Sequence, residues 1–132
     1  AWRESCRSDG QAIEVLPILA GEAKAEIRLN RRRIAPGFSV RECVVGAVRV
    51  ADPNINTLEA ALRELSRKAA ARRAQVVSLA VNSLARDWAA ALRAARFRPI
   101  KRRIPFVVKN YGSPPPISWN KWWLFRGDID TW

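Results

Sequence analysis

Residues 56–97 read NTLEAALRELSRKAAARRAQVVSLAVNSLARDWAAALRAARF, and the changes of hydrophobic period inside this stretch decide the fold. In its first part Leu58, Ala61, Leu62, Leu65 and Ala69 share one 3.6-residue stripe, while Arg63, Glu64, Arg67, Lys68 and Arg72 fall outside it, the pattern of a helix with one buried face. Residues 75–81 are short, apolar and β-branched, which predicts a strand buried on both faces. A second stripe, Leu84, Trp88, Ala91, Leu92 and Ala95, predicts a second helix ending near Arg96 and Phe97, with Pro99 blocking its continuation. Asn56 is the expected cap of the first helix, with Glu59 completing a capping box, and Asn82 or Ser83 the expected cap of the second. Glu64 and Lys68 form an i,i+4 pair, and Arg72 and Arg73 suit the negative end of the first helix. Trp88 lies on the apolar stripe and belongs to the core.

Upstream, residues 12–19 alternate weakly and read as a strand that Pro17, lacking a ladder N–H, confines to an edge or a bulge. Gly21 closes it, and residues 25–29 form another short strand. Residues 41–51 are a firmer strand, rich in valine, in which Gly46 marks a bulge or a close backbone approach. Asp52-Pro53-Asn54 turns the chain into the first helix. Between these strands, Arg31-Arg32-Arg33 precedes a Pro36-Gly37 turn and is either a solvated strand end or loop, or a phosphate contact. Downstream come a second basic cluster, Lys101-Arg102-Arg103, a strand over 104–111, a proline connector over 112–116, and a tail holding four of the six tryptophans. The tail is expected to lay an aromatic strand across the sheet or to dock a partner. The whole predicts one α/β (α+β) domain over residues 1–132: a mixed, mostly antiparallel sheet flanked by two main helices.

Composition narrows the chemistry. The chain has no histidine, which removes Ser-His and Cys-His nucleophile pairs and histidine zinc sites. Cys6 and Cys43 are far apart in sequence and are expected to be reduced thiols. No zinc, P-loop or dinucleotide motif occurs, and Asp128 with Asp130 makes too poor a ligand set to predict a metal. The net charge of +12 attracts polyanions: nucleic acid, anionic lipid or a phosphate-rich cofactor. No apolar run approaches the ~20 residues of a membrane span and no secretory signal opens the chain, so a cytoplasmic location without a membrane partner is expected. Methionine is absent even from position 1, and the chain is expected to be a piece of a longer product.

The order of valine-rich strand (41–52), helix (56–73), buried strand (75–82), helix ending Leu92-Arg93-Ala94-Ala95-Arg96-Phe97 and late hairpin resembles the C-terminal two-thirds of a GCN5-related N-acetyltransferase (GNAT) domain. The tail Trp122-Trp123-Leu124-Phe125-Arg126-Gly127-Asp128-Ile129-Asp130 is similar to the ending of certain bacterial members. The resemblance implies a sheet that splays open beside the strand matching 41–51, with acetyl-CoA or another acyl-CoA in the gap. It implies pantetheine contacts from the backbone of Val48, Arg49 and Val50, and pyrophosphate contacts near Asn54, Asn56 and Thr57. The acceptor would be an amine, with Glu42 and Asp52 as the candidate bases for its proton. The chain departs from the family pattern in three places: the turn 52–57 has no glycine, Leu92 stands where a tyrosine acid is usual, and Arg96 replaces a glycine. The alternative is a basic α/β module that binds nucleic acid or another polyanion.

Overall fold

A computed structural model describes residues 12–81 and 85–100. The expected turn at Ser8-Asp9-Gly10, Cys6, the caps Asn82 and Ser83, and Leu84 lie outside the described residues. So do Lys101-Arg102-Arg103, the strand at 104–111, the proline connector and the aromatic tail with Asp128 and Asp130.

The described residues form a mixed four-stranded sheet with two helices, an α+β fold. Strands β1 (Glu14–Ile18), β2 (Ala23–Ala35) and β3 (Phe38–Arg49) are followed by helix α1 (Ile55–Ala71), strand β4 (Val76–Leu79) and helix α2 (Arg86–Ala94). The strand order is β1-β2-β3-β4. The β1–β2 and β2–β3 pairs are antiparallel, whereas β3 and β4 run parallel across the α1 crossover. Among the described residues β1 is an edge strand, and Pro17 sits on it, as its missing donor requires.

The stripe read from the sequence is the stripe that packs: Leu58, Ala61, Leu62, Leu65 and Ala69 of α1 are all buried, and Trp88 and Ala91 of α2 join them. Their partners are Ala23, Ala25 and Ile27 of β2 and Cys43, Val45, Ala47 and Val48 of β3. Both helices therefore cover the same face of the sheet, and the core takes alternate strand residues up to the bulge at Gly46, which breaks the alternation in β3.

Several local expectations are corrected. Strand β2 is thirteen residues long and not the short strand expected over 25–29, so Arg31, Arg32 and Arg33 lie toward its exposed end, the strand-end alternative. The cap of α1 is Asn54, not Asn56: Asn54 Oδ1 accepts from Thr57 N at 2.9 Å and Thr57 Oγ1 accepts from Asn54 N at 3.1 Å. Thr57, three residues beyond the cap, closes the box that Glu59 was expected to close. Glu59 instead pairs with Arg63 at 2.8 Å. Strand β4 is only partly buried, with Val76 exposed. Ala85 stands at the cap of α2 without a side-chain cap bond.

The charged face of α1 does more than solvate it. Glu64, Lys68 and Arg72 recur every four residues and all reach back to the β1 side. Glu64 accepts from the amides of Leu19 (3.1 Å) and Ala20 (2.9 Å), Lys68 Nζ donates to the Pro17 carbonyl, and Arg72 meets Glu14 at 2.5 Å. The hydrogen bonds from Arg72 hold the Glu14 carboxyl below its ordinary range, and those from the Ala20 and Leu19 amides do the same for Glu64. Gly21, at φ +68°, completes the join: a Cβ there would lie 3.3 Å from Thr57 and from Val50. The start of α1 is thus seated against the β1–β2 connection.

Candidate cofactor site

Gly46 organises the open end of the sheet. Ile27 pairs with Val45 and Glu26 with Ala47, so Gly46 is the extra residue of a β-bulge. On the other side of β3 the parallel ladder runs from Glu42–Val76 to Val45–Leu79, and there it ends. Strand β3 continues to Arg49 with β2 as its partner. A bulge bends and twists its strand, and it lies next to the rung at which β4 itself ends, Leu79. Among the described residues, the edge of β3 beyond Gly46 has no rung with β4, and Gly46, Ala47 and Val48 there are buried.

That edge leads to the start of α1. After Asp52-Pro53, Asn54 caps the helix, and the first two helical amides, Ile55 and Asn56, have no acceptor among the described residues. The first turn carries no acidic side chain, which leaves its positive dipole end available to an anion.

The residues singled out from the sequence divide accordingly. Val48 is 1% exposed and faces the core, so only its backbone can meet a ligand. Arg49 is exposed and stands opposite Lys24, giving two cations at the open end. Val50 packs beside Gly21. The side chains of Asn54 and Thr57 are engaged in their reciprocal cap, and Thr57 Oγ1 also donates to the Asp52 carbonyl at 2.7 Å. Asn56 is exposed with an open amide.

The two candidate bases are not brought together. Asp52 is an exposed turn residue, whereas Glu42 lies up to about 23 Å along the strand from Arg49. Glu42 is buried, 7% exposed, on the sheet face opposite the helices. It stands beside Asn30 on β2 and Val76 on β4 and meets Arg32 Nη1 at 3.4 Å. On the same face, Asn30 Oδ1 and Ser78 Oγ are buried without a hydrogen-bond partner. Buried polar atoms are normally satisfied, so this group of Glu42, Asn30 and Ser78 has capacity for a polar ligand. Sequence alternation alone missed Asn30 and Ser78, because their proximity to Glu42 depends on cross-strand register. Cys43, one residue on, faces the core, and burial pushes its thiol up to about 11, which makes it a packing residue and not a nucleophile.

No group of three or more metal-ligating side chains occurs among the described residues. No helix among them is long and apolar enough to cross a membrane. No known family profile and no curated protein matches the chain. The crystal structure of a point mutant of TTHA1254 from Thermus thermophilus is similar over 73% of this chain and 75% of its own, at 14% identity and a TM-score of 0.46. A likeness of that degree is below what identifies a shared fold.

Proposed function

We propose that this chain is a GNAT-like N-acyltransferase domain that holds acetyl-CoA or another acyl-CoA between β3 and β4. The observation that carries the reading is the coincidence at Gly46, where the bulge and the last β3–β4 rung adjoin. The resemblance of the chain to GNAT domains calls for an opening beside this strand, followed by a helix that can receive a pyrophosphate. The glycine-free turn meets the second requirement with the amides of Ile55 and Asn56. Lys24 and Arg49 add positive charge nearby.

An acyl-CoA supplies an activated thioester. Glu42 takes the proton that the acceptor amine sheds as its nitrogen bonds to the acyl carbon, directly or through a water. Asn30 and Ser78 orient the acceptor or that water on the same face. Leu92 can return no proton to the departing sulfur, so solvent supplies it.

Isothermal titration with acetyl-CoA tests the cofactor. Coenzyme A release across a panel of primary amines tests the chemistry. Glu42→Gln should retain acetyl-CoA binding and lose about a hundredfold or more in turnover. Equal turnover in the variant would remove Glu42 from the mechanism.

A further inference from the structure

Beyond the last rungs with β1 and β4, strands β2 and β3 continue as a two-stranded arm. Its rungs are Arg31–Arg41, Arg32–Val40, Arg33–Ser39 and Ala35–Phe38, closed by the Pro36-Gly37 turn with Gly37 at φ +74°. Every residue from position 31 to position 39 is exposed. The arm starts at the opposite end of β3 from the bulge and adjoins the proposed acyl-CoA site only through Arg32, which meets Glu42, and Asn30, which also lines the groove at its base.

Three arginines share one face of it. Arg31 and Arg41 stand directly opposite each other, about 5 Å apart between Cα atoms, and Arg33 lies roughly 7 Å further along. Like charges directly opposite in a ladder are destabilising. Among the described residues no carboxylate pairs with Arg31, Arg33 or Arg41. Arg32, on the other face, is the one that meets Glu42. An open groove of about 370 Å³ at the base of the arm is lined by Arg31, Arg41, Ser39 and Gln75 among others. At the tip, Ile34 and Phe38 are 59% and 58% exposed.

We infer that this arm is a nucleic-acid-binding ribbon that lies in a duplex groove with its arginines on the phosphates. A two-stranded ribbon fits the major groove, guanidinium forks match phosphate oxygens, and an apolar tip can wedge against base edges or steps. The charges run down the length of the arm into the basal groove, as a track along a phosphate backbone does. A tip that inserted into a membrane would carry its cations in a ring around the two apolar residues. This inference is independent of the acyl-CoA reading.

The test measures binding of a fluorescein-labelled 20-base-pair duplex by anisotropy across a salt series. R31Q/R33Q/R41Q is compared with R67Q/R86Q/R93Q, which removes the same charge from exposed helix positions. Circular dichroism and thermal melting confirm that both variants are folded. The arm variant should lose about tenfold or more in affinity, and its salt slope should fall by about 3. The helix variant should change little. Phe38→Ala should weaken binding without altering the slope. Equal losses in the two triple variants would reduce the interaction to net charge and overturn the inference. So would absence of duplex binding, or binding confined to vesicles containing phosphatidylserine.

Discussion

Val45 and Leu79 form the last rung between β3 and β4, and the next residue of β3 is the bulged Gly46. Two irregularities that could have been scattered along a twelve-residue strand thus fall side by side. A bulge shifts the register of a strand and increases its local bend and twist. Here β3 keeps β2 as far as Arg49, while its ladder with β4 stops at Val45, where β4 ends.

The cap of α1 gives a first test. Asn54→Ala removes the acceptor of the Thr57 amide and should cost about 0.5–2 kcal/mol in urea unfolding. Asn56→Ala, at an exposed position inside the first turn, should stay within about 0.5 kcal/mol. The reverse order would place the cap at Asn56.

Both helices end with an arginine in the left-handed region, Arg73 at φ 61° and Arg96 at φ 66°. In each case two amides close back onto the last turn: Ala74 to Ala69 and Arg73 to Ala70, then Phe97 to Leu92 and Arg96 to Arg93. This is the arrangement that normally selects glycine. Arg96→Gly should raise stability by about 1 kcal/mol, since a side chain in this conformation costs roughly 1–2 kcal/mol. A loss of stability in thermal or urea unfolding would contradict the backbone geometry.

Acid should loosen the join between α1 and the β1 side. Glu14 and Glu64 both have carboxyl groups held below their ordinary value of 4.5, by Arg72 and by the Ala20 and Leu19 amides respectively. A depressed folded-state value stabilises the fold above the unfolded-state value, and that contribution disappears as pH falls through the folded one. Stability should therefore decline below about pH 4.5. Glu64→Gln should flatten the decline in a pH series of urea midpoints. An unchanged acid slope would show that the Glu64 contacts with the amides do not form in solution.

Much of the fold was legible because it rests on local periodicity. The stripe from Leu58 to Ala69 and the place of Trp88 depend on spacing alone, and both are buried as that spacing requires. Gly46 was legible as a break in a valine-rich run. The site was less so, for two reasons. Glu42 meets Asn30 through a β2–β3 register that no local pattern encodes. Arg72 satisfies Glu14 across 58 residues, though the helix end alone would account for an arginine there. Asn54 and Asn56 are both competent caps by residue type, and the choice was made by Thr57, whose hydroxyl can reach Asn54 but lies one position along from Asn56. Long-range pairing and competition between equivalent local signals are the parts that a linear reading does not resolve.

The central claim is that an acyl-CoA lies along the edge of β3 beyond Gly46 with its phosphates at the start of α1. Two-dimensional amide NMR during titration with acetyl-CoA tests it most directly. Saturable shifts are expected for the Ile55 and Asn56 amides together with those of residues 46–49, while amides in the core of β1 stay still. Saturation that moves only the arm around Arg31 and Arg41, or no saturable shift at all, would contradict it.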